Sequence, residues 1–491
     1  MSGASIKPII LTGREAPVEP PTKSTFGQSE LSSRDFICIF SVSFNVFLII
    51  TYFRQHAQRL FIICKRRPMN FLTVPLNYGQ LVKRSVFDMK TVKTNPAAML
   101  DELGRIGTDP TGGLTRFVYS DAWIQAQKWV LNKAQQSGMS VSFDSFGNGF
   151  MSYLGTDGAN EIMSGSHIDT VENAGQYDGA YGVVAAMLAM QELVDEYGQP
   201  RMTMTTISFS EEEGSRFPIS FSGSLHYAGV LDAAPTLVDA KGIKFGNAQK
   251  NAITQLKTEF DCKEHPLPTK FIELHIEQGP QLEESNIPLG VVSAICEQKR
   301  YTVTITGQSN HAGTTPQHLR RDALKAASLA INRIDQEAQR IGEPFVFTVG
   351  EMTVKPGSPN VIPGIATFTI DIRHPDAQVV NHFEKTIKKV LSELNGVKTD
   401  LDCWMDSRPA IMAPDLVLQL QNIISEHSAS YMNLPSGAGH DTQIMNQKVP
   451  TAMLFVPSHN GISHAPAEYT NPESLALGVS ILKDFLYKNC Y

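Results

Sequence analysis

Five short stretches of this chain set histidines and acids side by side at the ends of runs that read as strands. They are His167-Ile-Asp169, Tyr177-Asp178-Gly179, Glu211-Glu212-Glu213-Gly214, Glu273-Leu-His275-Ile-Glu277-Gln278 and Ser463-His464. Any one of them is an ordinary polar loop in many proteins. Together they restrict the fold, because isolated buried charges are expensive and several carboxylates share a site only when positive charge compensates them. Three adjacent acids repel one another, so Glu211 to Glu213 are either a solvated acidic turn or the wall of a cation site.

The pattern between these stretches favours the second reading. Apolar residues at helical spacing over Asp121–Gly138 (Trp123, Ala126, Trp129, Val130, Ala134) predict an amphipathic helix, followed by strands at Val141–Phe143 and Phe150–Leu154. Ile162–Ser164 reads as the end of a buried strand leading into His167, Ala180–Tyr197 as a helix, and Met202–Phe209 and Phe271–Ile276 as strands. Strands alternating with helices, with polar residues at strand ends, indicate an α/β sheet whose site lies at the strand termini. A second pattern starts near Gln298: strand Tyr301–Thr306, helix Arg320–Arg340, strand Phe345–Val354, strand Ala366–Arg373 and helix Ala377–Leu394. Phe368, Ile370 and Ile372 alternate there with Thr367, Thr369, Asp371 and Arg373, as a sheet with one covered face requires. This is a small α+β domain inserted into the first fold, which resumes with helix Leu416–His427, strand Ala452–Val456 and helix Pro472–Tyr487. The domains expected are 93–296 and 409–491 for the first fold and 297–408 for the insertion.

Composition narrows the function. A net charge of −7 and no basic stripe leave no electrostatic footprint for nucleic acid, so a small-molecule partner is expected. Cys38, Cys64, Cys262, Cys296, Cys403 and Cys490 form no CxxC pair and read as reduced cytoplasmic thiols; any metal must be held by His, Asp and Glu. The N-terminal extension, 1–92, is a separate matter. Phe36–Phe53 is an uncharged run at the lower limit for a membrane span, followed by Arg54, Arg59, Lys65, Arg66 and Arg67, which would hold the rest in the cytoplasm. It is either a single-pass anchor or a non-native extension upstream of a start at Met69 or Met89, and it lacks the cleavage site of a signal peptide.

Each acid and imidazole has a physical task open to it. His167 can bind an ion while Asp169 takes its other ring proton. Asp178 is placed either to bridge two ions or to cap the helix that follows. Arg373 lies on the face of its strand opposite Phe368 and Ile370, where its fork fits a carboxylate or simply meets solvent.

Six ordered motifs then bring in a resemblance. Gly165-Ser-His-Ile-Asp-Thr170, Glu211-Glu-Glu-Gly-Ser-Arg-Phe217, Glu273-Leu-His-Ile-Glu-Gln-Gly279, Asn310-His-Ala-Gly-Thr-Thr-Pro316, Ser436-Gly-Ala-Gly-His-Asp441 and Gly461-Ile-Ser-His-Ala-Pro-Ala-Glu468 resemble the amidase/hydantoinase–carbamoylase family of the M20 metallopeptidase-like group, from about residue 95 to the C-terminus. Gln298-Lys-Arg-Tyr-Thr-Val303, Asn310, Ile370-Asp-Ile-Arg-His374 and Trp404-Met-Asp406 tilt it towards the allantoate amidohydrolases. The resemblance implies an α/β catalytic domain of M20 aminopeptidase-like type with an inserted α+β dimerisation/lid domain and two divalent ions, manganese ahead of zinc. His167, Asp178, Glu213, His275 and His464 match its metal ligands, with Asp178 bridging. Glu212 matches the general base that takes the proton of the attacking water and returns it to the leaving nitrogen, and Asp169 the residue orienting His167. His311 and Asn360 match groups reaching the substrate from the inserted domain, commonly of a partner subunit in a homodimer, with His311 stabilising the developing oxyanion. Arg373 matches the clamp on the substrate carboxylate, and Gln278, Gln298 and Gly439 further substrate contacts.

The implied reaction is hydrolysis of a ureido C–N bond: allantoate and water giving ureidoglycine, ammonia and carbon dioxide in purine-nitrogen salvage. Ureido groups are poor electrophiles, and a metal pair supplies both a polarised carbonyl and an activated water. The rival substrates are N-carbamoyl-L-amino acids or β-ureidopropionate. An M20-type peptidase and an inactive tethered binding protein stand further off, the latter disfavoured because Glu212 and every ligand position are retained.

Overall fold

The strands Thr451–Val456, Lys270–Ile276, Asp157–His167 and Met202–Phe209 lie side by side in that order, all parallel. Thr451–Val456 is buried throughout and Lys270–Ile276 from Phe271 onward, as strands covered on both faces must be. Parallel neighbours need long crossovers, and the helix Ala180–Tyr197 supplies one, buried almost all round and packed against the C-terminal helix Pro472–Cys490. Gly149–Tyr153 and Ser140–Phe143 extend the sheet beyond Met202–Phe209. Gly290–Ile295, with Ala410–Ile411 and Met432–Ser436 beside it, extends it on the other side to nine strands. The helix Asp121–Gln136 starts where the spacing predicts, because the Ser120 hydroxyl accepts from the Trp123 N–H, a cap worth about 1 kcal/mol. Since the four central strands run the same way, His167, Phe209, Ile276 and Val456 finish at one edge of the sheet. Their last residues and the loops that leave them carry all five histidine- and acid-bearing stretches.

A second, antiparallel sheet is built from Glu297–Thr306, Val346–Thr348, Met352–Lys355, Ile365–His374 and Lys398–Ser407. Tyr301, Val303, Phe368 and Ile370 point to one face and form a core with Ala327 and Ile334 of the helix Ala323–Ile341 and Phe383 and Ile387 of the helix Ala377–Ser392. On the opposite face Gln298 pairs across from Arg373, and Arg300 from Asp371. Two expectations change here. The run Phe345–Val354 is two strands that pair with different parts of Ile365–His374, because the chain leaves the sheet between them and the Glu351 N–H donates to the Thr369 hydroxyl instead. The helix expected from Arg320 begins at Ala323, where the Asp322 carboxylate accepts from the Lys325 N–H; residues 317–319 form a separate turn.

The computed structural model describes residues 37–42, 46–51, 61–64, 95–231 and 236–491, which divide into two units, 1–89 and 90–491. In the first unit Ile37–Val42, Val46–Thr51 and Phe61–Cys64 form a three-stranded antiparallel sheet. Where it is described, the apolar run Phe36–Phe53 is thus two short strands, consistent with its β-branched and aromatic content, rather than one spanning helix. Among the described residues no helix is long and apolar enough to cross a membrane. Met69, Met89 and the basic cluster after residue 53 lie outside the described residues.

Candidate metal centre

Asp178 sits at the middle of the sheet edge with one oxygen for each of two groups. Its Oδ1 lies 3.3 Å from His275 Nε2 and 3.8 Å from His167 Nε2; its Oδ2 lies 3.1 Å from His464 Nε2. Glu213 approaches His464 Nε2 to 3.6 Å. His167, Asp178 and His275 form one triad able to hold a cation, and Asp178, Glu213 and His464 a second. The tautomers support this. His275 Nδ1 is 2.9 Å from the Ile276 carbonyl, and His167 Nδ1 is 3.0 Å from the Asp169 carbonyl and 3.3 Å from its carboxylate. Each ring proton is therefore held on Nδ1, and each Nε2 turns its lone pair towards Asp178, as metal-binding imidazoles do. The donor set of imidazoles and carboxylates fits divalent ions of the manganese or zinc type.

The electrostatics point the same way. Burial pushes Glu212 well above the usual carboxylate range and Glu213 to about 8, with Asp178 adding to the rise in Glu213. Burial works to raise Asp178 too, but the His275, His464 and His167 imidazoles crowded around its carboxylate hold it well below the usual range. His464 rises to about 9, chiefly through its bond to Asp178. Buried acids crowded in this way require a compensating cation. Glu212 belongs to neither triad. Its Oε2 stands 3.8 Å from His167 Nε2, beside the first, where a base for an attacking water is needed.

The surrounding residues fix this arrangement. Asp178 does not cap the helix Ala180–Tyr197; Gly179 occupies that position with φ 64°, and a β-carbon there would stand 2.4 Å from the His167 ring, so only glycine fits. Asp169 does more than face His167. Its carboxylate accepts from the Glu212 and Glu213 backbone N–H groups at 3.1–3.2 Å and so fixes the turn that carries both acids. His464 and Gln278 both adopt left-handed backbone, with φ 55° and 56°, a strain typical of functional loops.

Several groups have supporting roles that no spacing in the sequence signals. Glu273 accepts from Ser166 of the neighbouring strand and from Thr442 of the short helix Asp441–Met445, joining the two beneath the site. The fully buried Arg116 donates to the Leu103 and Ile106 carbonyls and braces the Ile168–Asp169 segment; burial lowers it to about 10 although Asp169 opposes the shift. Glu468 accepts from the Tyr177 and Asp178 N–H groups at 2.8 and 3.1 Å and, through its other oxygen, from the Ser463 hydroxyl at 2.7 Å, tying the two loops that meet at the second triad. Glu468→Gln is therefore expected to weaken metal affinity ~10–100-fold. Chelator competition measures this, and an unchanged affinity would mean that Asp178 keeps its position without Glu468.

Of the expected substrate residues, the structure gathers some and separates others. Gln278 donates to Asp178 Oδ2 at 2.8 Å and lines a cavity of about 600 Å³ that also touches Arg373 and Gly437. Gln298 is on the same sheet face as Arg373, donating to Asp371 at 2.9 Å. Gly439 directly follows Ala438 of the cavity wall and packs on Phe221. His311 and Asn360 are adjacent to each other, with the Ala312 N–H donating to the Asn360 carbonyl, and both are exposed. Among the described residues neither bonds to the triads.

An α/β sheet with paired imidazole–carboxylate triads at its carboxyl edge and a buried acid beside them defines a metal-dependent hydrolase. The chain belongs to peptidase family M20/M25/M40, whose profile matches residues 163–488. It is 42% identical over 398 residues to an allantoate amidohydrolase of Escherichia coli (strain K12), covering 79% of this chain and 95% of that protein. It is 38% identical over 407 residues to an allantoate amidohydrolase of Bacillus subtilis (strain 168), covering 82% and 98%. The crystal structure of an amidase of the hydantoinase/carbamoylase family from Burkholderia multivorans superposes with a TM-score of 0.74 at 31% identity, covering 80% of this chain and 96% of that one.

Proposed function

We propose that the protein is an allantoate amidohydrolase that hydrolyses one ureido C–N bond of allantoate, releasing ammonia and a carbamate whose loss of carbon dioxide leaves ureidoglycine. The observation that carries the reading is Asp178, whose two oxygens serve two triads beside Glu212. The named relatives that share this chain along almost their whole length support the substrate. A pair of divalent ions held by His167, Asp178, Glu213, His275 and His464, manganese ahead of zinc, would polarise the ureido carbonyl and make water a nucleophile at neutral pH. Glu212 takes the proton from that water and delivers it to the leaving nitrogen, a contribution of ~10²–10⁴-fold. Asp169 keeps the Glu212 turn in place while fixing His167. Arg373 meets the substrate carboxylate, and Gln278, Gln298 and Gly439 complete the pocket.

The active form is a homodimer in this reading. His311 and Asn360 are adjacent and exposed, and Leu319, Leu324 and Leu329 of the same region expose apolar side chains, as a surface that meets a second copy would. His311 then stabilises the oxyanion in the neighbouring subunit. The alternative, N-carbamoyl-L-amino-acid hydrolysis, uses the same residues and is favoured by the hydantoinase/carbamoylase likeness. Ammonia release by the purified protein, loaded with manganese or zinc, distinguishes them: allantoate is expected to be the better substrate by kcat/KM. Release from N-carbamoyl amino acids alone would replace the first reading with the second.

A further inference from the structure

The cavity beside Gln278 extends past Arg373 to Arg300 and Trp404, which have no part in the roles above. Its far wall is the exposed face of the second sheet, where Asp371 accepts four hydrogen bonds. Gln298 Nε2 donates at 2.9 Å, Arg300 Nε at 2.8 Å, and Arg373 through Nε at 2.9 Å and Nη2 at 3.1 Å. Strand geometry places them together: Arg300 stands across from Asp371 and Gln298 across from Arg373, and residues two apart share a face. The two guanidinium groups are not equally committed. Arg373 gives one edge to Asp371 and donates from Nη1 to the Gly437 carbonyl at 2.7 Å. Arg300 commits only Nε, and among the described residues its two terminal nitrogens make no hydrogen bond.

Arg300 is nevertheless held. The register of Lys398–Ser407 slips between Arg300 and Tyr301, leaving Trp404 as an extra residue in its strand. Bulges of this kind re-aim a side chain. Here the Trp404 ring lies 5.6 Å from the Arg300 guanidinium, and both line the cavity. Two cations around one carboxylate leave the wall with a net positive charge, and the fork with free donors is the one further along the strand from the Gln298–Arg373 pair.

We propose that Arg300 is a substrate-binding residue that donates to the carbonyl oxygen of a second arm on the substrate's α-carbon, and that Asp371 is the positioning residue for both Arg300 and Arg373. The inference rests on the ureido-hydrolase reading of the site and adds to it the substrate class: acids with two carbonyl-bearing arms rather than one. Arg373 takes the carboxylate, the metal triads face the reacting arm, and Arg300 reads the other. A charge-assisted bond of this kind is worth about ten-fold or more in discrimination.

The test compares two-armed with one-armed substrates in Arg300→Gln and Arg300→Lys. Allantoate is one two-armed substrate, and N-carbamoyl-L-asparagine, which replaces one of its NH groups by CH₂, is another; N-carbamoylglycine has one arm. In both variants the kcat/KM ratio of two-armed to one-armed substrate is expected to fall about ten-fold or more, since lysine keeps the charge but not the fork. Equal losses on both kinds of substrate, or none, would overturn the assignment. If the wild-type protein leaves allantoate intact but hydrolyses carbamoyl amino acids, the allantoate reading fails, and the asparagine-to-glycine ratio alone decides Arg300. Asp371→Asn is expected to raise KM for every substrate with kcat and metal content little changed; a fall in kcat at constant KM would remove its positioning role.

Discussion

Glu212→Gln is expected to lower kcat by ~10²–10⁴-fold while the protein retains its full metal content. The amide matches the carboxylate in size and can still donate or accept a hydrogen bond, but it cannot carry the proton from water to the leaving nitrogen. Glu212 is buried beside His167, belongs to neither triad, and has its backbone N–H held by Asp169, so the substitution should leave the surrounding loops unmoved. Elemental analysis alongside steady-state kinetics separates the possibilities. Loss of metal in step with activity would make Glu212 a ligand, and an unchanged kcat would place the base elsewhere. Glu213→Gln provides the contrast: its carboxylate is part of the second triad, so metal and activity should fall together.

The second large effect is expected at the residue the two triads share. Asp178→Asn removes the one charge that both His167–His275 and Glu213–His464 face. Removing a buried charge partner costs about 3–5 kcal/mol, roughly 10²–10⁴-fold in affinity, and here both triads feel it. The variant should therefore lose both metal equivalents and all measurable turnover, whereas His275→Ala should lose the first site and keep the second. Titration with manganese or zinc, read by calorimetry, tests this. A variant that still binds two equivalents would show that Asp178 is not the bridge.

Much of this architecture is legible along the chain because its physical causes are local. Ala180–Tyr197 and Met202–Phe209 have the boundaries that their residues predict, since a helix buried nearly all round is an almost unbroken apolar run and the strand is made of apolar and β-branched residues with only Ser208 besides. Lys398–Ser407 left no such trace: it lies at the edge of its sheet with much of it exposed, so neither of its faces is continuously apolar. The break inside Phe345–Val354 was equally hidden, because a chain can leave and rejoin a partner strand without changing the residues that favour extension.

The same division holds at the site. The sequence by itself determined the chemical kinds present: imidazoles and carboxylates clustered at strand ends, in numbers that only a cation could make tolerable together. Which of them converge was decided by the parallel alignment of four strands from distant parts of the chain, which brings His167, Glu213, His275 and His464 around Asp178 at one edge. The supporting roles of Glu468, Arg116 and Asp371 also come from tertiary structure alone. A hydrogen bond between residues 290 positions apart, such as that from the Asp178 N–H to Glu468, depends on where two loops meet in space, and no local periodicity records it.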